Sequence, residues 1–379
     1  MIKNKIDKNK DSMLYLIHID WSWIKQRPQF LSYELLEYFN LTLFFPKNYR
    51  SDNIVNSNIP KFVNSFYKLP FQRFKNLSFF SFLNRLFILL QLSNKLKKSE
   101  YIWLTSPEIY GIIKNKISKN HKLIYDCMDD ILEFPNIKNN VKLSEEMYFY
   151  ELGLISRADI VFSSSKYLKN TLIDRYKIDS NKIDVINNAI SIKMLNNKIA
   201  NSRLLINSVD KIKTITYIGT ISKWFDFDLL LDCLNENQHI RFLLLGPKEV
   251  TIPCHDRLIY QGIIKHNEVF SYMKSSDALI MPFIVNDLIK SVNPVKLYEY
   301  ILSLKPIITC YYDEIDKFKD YVHYYKSPIE LKKLFVKLVN NELQSNELAE
   351  SINFLNENTW KSRGIEIVSK LQIKKLYDL

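Results

Sequence analysis

The chain has 379 residues, a formal net charge of +12 and a hydrophobic content of 47%. A chain of this length holds roughly two to three domains of ordinary size, and its apolar content is ample for their cores. The sequence contains no nucleic-acid-binding motif, no zinc-finger spacing and no uninterrupted apolar run of about 18 residues, which argues against a nucleic-acid partner and a membrane-spanning helix. The four cysteines lack paired spacing, so we expect a reduced cytoplasmic protein without a metal site.

Short apolar runs alternate with helical patterns along the chain, which predicts an α/β fold of parallel sheets covered by helices. The predicted strands of a first series are 14–19, 41–45, 62–69, 101–105, 123–126, 159–163 and 182–186. Those of a second series are 214–218, 241–245, 258–260, 278–281 and 307–310. The predicted helices are 28–39, 82–96, a short one from 108, 143–157, 166–176, one from 294, 329–339, 343–356 and one from 360.

Residues 195–211 are polar and poorly periodic, which indicates a domain boundary. We therefore expect a flexible tail at 1–12, a first domain at 13–200, a second domain at 201–357 and a C-terminal helix at 358–379.

The stretch 276–310 carries the clearest functional pattern. An apolar strand, a mixed loop, a helix opened by Pro294 and a second apolar strand follow one another. The helix start offers free N–H groups and a positive dipole end, which suits a phosphate. Lys296 and Glu299 are three apart and share a helix face, so a cation and an acceptor can address one ligand together. The alternative is an ordinary solvated helical pair.

This Pro-x-Lys-x-x-Glu pattern, followed by a Lys-Pro-Ile-Ile strand, resembles the donor-site segment of GT-B glycosyltransferases, specifically the family-four-like enzymes of bacterial surface polysaccharide assembly. The resemblance implies two Rossmann-like domains facing a central cleft, with the C-terminal helix crossing back to the first domain. It also implies that Asn293, Pro294 and Leu297 face a nucleotide-sugar and that Glu299 holds its ribose hydroxyls.

The chain departs from the family pattern at one position of this segment. Many members carry a second acid that binds the donor sugar, and here that position is Ser291. Asn286, Asp287 and Asn293 are the candidates to replace it.

A second informative stretch begins at Gly219. A strand runs into this glycine and then toward a helix, so a diphosphate can approach the backbone closely. Lys223 can neutralise phosphate charge as the nucleotide leaves. The resembling family often has an arginine where this chain has Thr220, which leaves the phosphate to Lys223, Lys296 and backbone amides. The alternative is an ordinary turn, and we expect Asp226 to cap the helix.

Two further glycines end strands of the second series. Gly246 follows the strand 241–245, and Gly262 with Ile263 follows the strand that begins at 258. In the resembling family, the matching loops pass the donor and hold the nucleotide base through backbone groups.

The opening of the first domain, from Asp20 to Pro28, resembles a subset of these transferases that includes teichuronic-acid-type enzymes. Trp21 and Trp23 offer flat apolar surface for stacking on sugars. A cation at a helix start is disfavoured by the dipole, so Arg27 predicts a local anion, either substrate phosphate or Asp20. A surface arginine is the alternative.

Clustered acids follow the strand 123–126. Carboxylates in this arrangement can raise one another's pKa, as an acid or base requires. Asp129 is the first candidate for a base that deprotonates the acceptor hydroxyl in an inverting enzyme, and Asp20 is the second. In a retaining enzyme of the resembling type the departing phosphate accepts that proton, and Asp129 would position a substrate. A helix cap is the alternative. We interpret His18 as a packed core residue.

Residues 61–100 contain eight Lys/Arg residues, one acid and many phenylalanines. Basic charge interleaved with bulky apolar side chains is typical of a helix in an anionic membrane interface. A core helix with a solvated basic face is the alternative.

We therefore predict a cytoplasmic GT-B glycosyltransferase, retaining, that moves a sugar from a nucleotide-diphosphate sugar, with UDP as the expected nucleotide, to a capsule, O-antigen or teichuronic-type glycan. A glycan or lipid-linked acceptor, peripheral contact with the inner face of the membrane, and independence of metals and other cofactors belong to this prediction. Two alternatives stay open: a nucleotide-sugar epimerase on the same fold, and a non-catalytic scaffold that binds glycan or membrane.

Overall fold

The computed structural model describes residues 10–22, 25–47, 59–70, 78–199, 212–265 and 268–377. The chain divides into two compact units. The first comprises Met1–Asn187 and Trp360–Leu379, and the second comprises Asn188–Thr359. The observed division between Asn187 and Asn188 thus lies earlier in the chain than the boundary predicted at residue 200.

Seven strands belong to the first unit: β1 (Ser12–Leu16), β2 (Asn40–Lys47), β3 (Val63–Tyr67), β4 (Tyr101–Leu104), β5 (Lys122–Cys127), β6 (Ile160–Ser163) and β7 (Ile183–Val185). Six belong to the second: β8 (Lys213–Ile218), β9 (Ile240–Leu245), β10 (Leu258–Gly262), β11 (Ala278–Met281), β12 (Ile307–Cys310) and β13 (His323–Tyr325).

The α-helices are α1 (Arg27–Leu35), α2 (Ser78–Lys98), α3 (Pro107–Ile113), α4 (Pro135–Lys138), α5 (Val141–Arg157), α6 (Lys166–Tyr176), α7 (Ile192–Ile199), α8 (Phe227–Glu236), α9 (Val269–Ser275), α10 (Asp287–Ser291), α11 (Val295–Ser303), α12 (Pro328–Val339), α13 (Leu348–Glu357) and α14 (Trp360–Tyr377).

The first unit is built on a seven-stranded parallel sheet in the order β3-β2-β1-β4-β5-β6-β7. Its inner strands β4 and β6 are buried along their whole length. Such burial is expected where helices cover both faces of a parallel sheet. The strand order reverses between β1 and β4, which is the topological switch point where ligands of such sheets bind.

The second unit contains a six-stranded parallel sheet in the order β10-β9-β8-β11-β12-β13. Its switch point lies between β8 and β11. The sequence analysis missed β13, because this edge strand has three residues and only one buried side chain. It also missed the short α9 and α10.

Helix α14 packs on α1 within the first unit. The rings of Phe30 and Trp360 are stacked with centroids 5.3 Å apart. The helix backbones approach closely where Gly364 faces Glu34, since a Cβ on Gly364 would lie 2.9 Å from Glu34 Cβ. A small residue permits this close contact.

Helix α2 is apolar on two opposite faces. Ile88, Leu92 and Leu96 are buried in the core of the first unit. The outward face exposes five large apolar side chains: Phe79, Phe82, Leu83, Leu86 and Leu90. Within the described residues, none of the helices has the length and apolarity needed to cross a membrane.

Candidate functional site

Three glycines lie side by side at the carboxyl edge of the second sheet. They follow or end the adjacent strands β8, β9 and β10. The N–H of Gly219 donates to Leu245 O at 2.9 Å, and the N–H of Gly246 donates to Gly262 O at 2.8 Å. The sequence identified these glycines separately, and the sheet order makes them one continuous backbone surface.

Gly246 is required by both conformation and space. Its φ is +134°, and a Cβ there would lie 2.1 Å from Gly219 O. Gly262 also has a positive φ, +87°, but a Cβ there would meet nothing within 4 Å. The side chain of the next residue, Ile263, is 62% exposed. Only glycine adopts such backbone conformations without strain.

The turn after β8 is longer than the sequence suggests. Helix α8 starts at Phe227, and Asp226 caps it by accepting the N–H of Leu229 at 3.0 Å. The predicted cap is therefore confirmed, whereas the helix start does not adjoin Gly219. Thr220 O accepts the hydroxyl of Tyr217 at 2.8 Å.

Lys223 lies within this turn and is exposed. Among the described residues, no hydrogen bond or ion pair of its ammonium group is seen.

Helix α11 begins where the sequence places it, with Pro294 at the N-cap. Lys296 Nζ and Glu299 Oε2 are 2.6 Å apart, with side chains 32% and 10% exposed. This mostly buried carboxylate distinguishes the pair from a solvated one. The Tyr300 hydroxyl accepts the N–H of Ile218 at 2.8 Å, so α11 is bonded to the strand end that precedes Gly219.

Two predicted donor residues are buried by the fold. Leu297 has no exposed surface, so only its backbone can take part. Asn293 is 1% exposed; its Oδ1 accepts the N–H of Asn188 at 3.0 Å and its Nδ2 donates to Glu314 at 3.2 Å. This corrects the prediction that the Asn293 side chain contacts the donor sugar, because both ends of its amide are bonded within the unit.

At the position of the missing acid, Ser291 is buried and its hydroxyl donates to Leu288 O at 2.7 Å. The two other candidates to replace that acid are both exposed. Asn286 is exposed and caps α10, and Asp287 is exposed and paired with Lys290 at 3.0 Å.

In the first unit, Arg27 is buried rather than exposed. Its guanidinium is 2.8 Å from Asp126 Oδ1, and its Nη1 donates to Ile186 O at 2.6 Å. The predicted local anion exists, but it is Asp126 and not Asp20. Asp20 instead accepts the N–H of Ser22 at 2.9 Å in a local turn.

The acidic cluster at the end of β5 contains one aspartate that is not paired with any arginine of the described residues. Asp126 is paired with Arg27, and Asp130 is held by Arg175 through contacts of 2.8 and 2.6 Å. Asp129 lies between them and is partly exposed. Burial raises the pKa of Asp129 to about 6; Arg27 opposes this increase, and the carboxylates of Asp130 and Asp126 add to it. A carboxyl group with such a pKa can exchange a proton near neutral pH.

A buried carboxylate that the sequence analysis missed supports this cluster. Glu151 on α5 accepts the hydroxyls of Tyr125 at 2.5 Å and Tyr176 at 2.6 Å, and it lies 3.8 Å from Arg175. Burial raises its pKa. The sequence contained one indication of this role: Glu151 lies one turn before Leu154, on the apolar side of a helix, where an acid is unusual.

The structure does not support the prediction that Trp21 stacks on a sugar. Trp21 is 5% exposed and packs against Tyr33 and Phe62, with ring centroids 6.0 Å away in each case. Its burial corrects the prediction, because stacking requires an open ring face. Trp23 lies outside the described residues.

His18 also differs from expectation. It follows β1 at the switch point and is exposed rather than packed in the core. Its Nδ1 lies 2.8 Å from the hydroxyl of Thr105, at the end of β4.

No family model matches the chain. TuaH of Bacillus subtilis (strain 168), assigned as a teichuronic acid biosynthesis glycosyltransferase, is 27% identical over 237 residues. The match covers 59% of this chain and 59% of TuaH, so the chain spans less than two thirds of that relative.

Similar solved structures cover nearly the whole chain. Anabaena HepE, crystallised with UDP and glucose, has a TM-score of 0.64 and 12% identity over 96% of this chain and 99% of its own. Sucrose-phosphate synthase from Thermosynechococcus elongatus has a TM-score of 0.72 and 10% identity over 97% and 100%. The two Rossmann-like units with parallel sheets therefore have the GT-B fold, and the predicted resemblance of this chain to GT-B glycosyltransferases is confirmed.

Proposed function

We propose that the chain is a glycosyltransferase that moves a sugar from a UDP-sugar to a bacterial surface glycan. The observation that carries this proposal is the Lys296–Glu299 pair at the start of α11. Tyr300 of the same helix accepts the N–H of Ile218, the last residue of β8, which directly precedes Gly219. A cation for phosphate, a carboxylate for ribose hydroxyls and a glycine-lined backbone then belong to one part of one unit.

The donor is the better supported substrate. HepE, whose fold this chain shares, binds UDP and glucose. In the proposal, Glu299 accepts hydrogen bonds from ribose hydroxyls, whereas Lys296 and Lys223 neutralise the diphosphate as it leaves. The backbone at Gly219, Gly246 and Gly262 lies against the nucleotide.

We propose a retaining reaction without a metal. The leaving phosphate then accepts the acceptor proton, and the two lysines perform the charge neutralisation that a divalent cation provides elsewhere. Undiminished activity in EDTA is the expected result, and a requirement for Mg²⁺ or Mn²⁺ would contradict this part of the proposal. The configuration of the product, determined by NMR, tests retention.

The acceptor is proposed to be a growing capsule, O-antigen or teichuronic-type glycan, free or carried on a lipid. The assignment of TuaH to teichuronic acid synthesis supports this class. Asp129 is proposed to contact the acceptor, since its carboxyl group is the one in its cluster without an arginine partner among the described residues. Arg27 would act only through Asp126.

The direct test is UDP release from a panel of UDP-sugars, with and without glycan acceptors. Acceptor-dependent release supports the transferase. Conversion of the donor to an isomer without any acceptor would indicate an epimerase instead. Calorimetric titration with UDP, GDP and CMP separates the third alternative, because a scaffold binds none of them.

We also propose peripheral contact with the membrane, through α2 rather than the whole of 61–100. Phe66 is buried in the first unit, which removes it from the predicted surface. On α2, Phe79, Phe82, Leu86 and Leu90 recur at helical spacing and are 45–74% exposed. The helix contains no acid, and its exposed lysines at 95, 97 and 98 follow the apolar face. An apolar stripe with terminal lysines suits an anionic lipid surface.

Vesicle sedimentation tests this contact. The full chain should bind phosphatidylcholine vesicles that contain about 30% of the anionic lipid phosphatidylglycerol more tightly than vesicles of pure phosphatidylcholine. Phe82→Ser with Leu90→Ser should abolish binding, whereas Ile329→Ser, which removes an exposed apolar side chain of α12, should not. Dimerisation through α2 without vesicle binding would contradict the contact.

A further inference from the structure

The switch point of the first sheet carries a histidine with no role in the site described above. His18 follows β1 by two residues, and Thr105 directly follows β4. These are the two strands between which the strand order reverses. In open α/β sheets, ligands bind outside the carboxyl ends of the strands at this position.

Two hydrogen bonds fix the orientation of the imidazole. The Thr105 hydroxyl accepts the backbone N–H of His18 at 3.2 Å and lies 2.8 Å from its Nδ1. Thr105 itself is 5% exposed, so its hydroxyl is held within the fold. The other ring nitrogen, Nε2, belongs to an exposed side chain and has no hydrogen bond with any of the described residues.

The ring is neutral at physiological pH. Burial lowers the pKa of His18 to about 4, although the carboxylate of Glu108 and the backbone contact with Thr105 oppose this decrease. A neutral Nε2 either accepts or donates one hydrogen bond, depending on the tautomer. A hydroxyl group satisfies both tautomers, whereas a phosphate would favour a charged ring.

Asp129 lies at the same edge of the sheet. Strands β1 and β5 both pair with β4, so the two strand ends are about 10 Å apart at the usual spacing of about 4.8 Å per strand. A sugar ring with several hydroxyls spans a distance of this order. His18 and Asp129 therefore present a hydrogen-bonding nitrogen and a carboxylate to the same edge.

We propose that His18 Nε2 binds a hydroxyl group of the acceptor sugar, with Thr105 as the positioning residue that orients the ring. This inference rests on the proposed function, because it identifies a contact of the acceptor. It assigns no proton transfer to His18.

The test compares UDP release into water with UDP release to octyl glycosides of glucose, galactose and N-acetylglucosamine. For His18→Ala we expect the KM of the stimulating glycoside to rise about tenfold, the value of one lost hydrogen bond of about 1.4 kcal/mol. Release into water and the KM of the donor should remain within about twofold of wild type, a change well below that loss. Thr105→Val should raise the acceptor KM in the same direction, whereas Thr105→Ser, which keeps the hydroxyl, should restore it.

His239→Ala is the matched control, since it removes an exposed histidine of the second unit. The ring signal of ¹³C-labelled His18 should also shift when the stimulating glycoside is added. Unchanged acceptor KM in His18→Ala, equal losses of transfer and hydrolysis in that variant, or no shift and no stimulation by any of the three glycosides would overturn the inference. Each of these outcomes is compatible with UDP-sugar hydrolysis by the wild type. A wild-type chain that consumes no UDP-sugar would overturn the proposed function, and this inference with it.

Discussion

The carboxyl edges of the two sheets use different chemistry on the same architecture. At the first sheet, the strand ends carry charged and polar side chains, and Arg27 and Asp126 are almost completely buried as an ion pair. At the second sheet, three strand ends carry glycines, and the principal charged pair, Lys296–Glu299, lies on a helix. The first edge is therefore built from side chains and the second largely from backbone.

This difference suits the two substrates of the proposed reaction. The diphosphate is the same in every nucleotide-diphosphate sugar and can be bound by backbone N–H groups, which require close approach rather than side-chain variety. An acceptor glycan is recognised by its pattern of hydroxyls, which needs side chains held in fixed orientations. Substitutions should therefore show that the first edge depends on its side chains and the second on its glycine backbone.

The largest effect is expected from Asp126→Asn. The change leaves the guanidinium of Arg27, which is 3% exposed, without its carboxylate. Removing one member of a buried ion pair costs about 3–5 kcal/mol, so the free energy of unfolding should fall by this amount in a denaturant titration. Asp184→Asn, which breaks the half-exposed pair with Lys370, should cost less than about 1 kcal/mol. Equal losses would contradict the distinction between buried and surface pairs.

At the second edge, Gly246→Ala should be almost as damaging. The added Cβ would lie 2.1 Å from Gly219 O, and its backbone conformation is strained for any side chain. We expect a loss of about 3 kcal/mol, with weakened UDP binding. Gly262→Ala shares the positive φ without the clash and should cost about 1–2 kcal/mol. Thermal unfolding of both variants measures the difference, and similar melting temperatures would show that space is not limiting at Gly246.

Glu299→Ala should separate activity from stability. Lys296 is 32% exposed, so water can solvate its ammonium group when the partner is removed, and the melting temperature should hardly change. The loss of a carboxylate that holds ribose hydroxyls should reduce kcat/KM about 100-fold, equivalent to about 2.8 kcal/mol. Glu236→Ala, which breaks a surface pair with Lys332, is the control. Normal turnover by Glu299→Ala would refute the assigned donor site.

Five of the six strands of the second unit were predicted from the sequence, because each contains a run of mostly apolar residues next to a proline or a glycine. Strands β11 and β12 begin and end where the pattern places them. Short elements such as α10 escaped detection, because five residues cannot show helical periodicity.

The site was harder to predict than the fold because side-chain partners depend on tertiary contacts. Arg27 and Asp126 are 99 residues apart in sequence, so nothing local indicated that they would pair. Asp130 and Arg175 are 45 residues apart, and among the described residues these two pairings leave Asp129 as the acid without an arginine partner. Trp21 was predicted to be exposed and His18 to be buried, but Trp21 is buried and His18 is exposed. The side chains that follow a strand can face the core or the solvent, and the conformation of the loop decides which.

Asp129→Asn should change the pH dependence of both stability and transfer. The folded pKa of about 6 lies above the ordinary value of 3.8, so the folded chain binds more protons than the unfolded chain between these values. The wild type should lose stability as pH rises through this range, whereas Asp129→Asn should not. The variant should therefore be the more stable protein at pH 7, with no difference below about pH 4.

Transfer by the wild type should rise with pH through about 6, as the Asp129 carboxylate forms. In Asp129→Asn this limb should flatten, with a loss of at least about tenfold at pH 7.5. Asp174→Asn, an exposed acid of α6, is the control for both measurements. An unaltered acid limb in Asp129→Asn would assign that titration to another group.

Lys223→Ala is expected to have the smallest effect. The ammonium group is exposed, so its attraction to a phosphate at about 4 Å is worth about 1 kcal/mol in water, and UDP should bind about fivefold more weakly in calorimetry. Because salt screens exposed charges, this difference should largely disappear at about 1 M NaCl. Lys193→Ala, an exposed lysine of α7, should leave binding unchanged at both salt concentrations. A salt-independent loss in Lys223→Ala would mean that the lysine acts in a desolvated contact with the diphosphate, and the second edge would then depend on a side chain as strongly as the first.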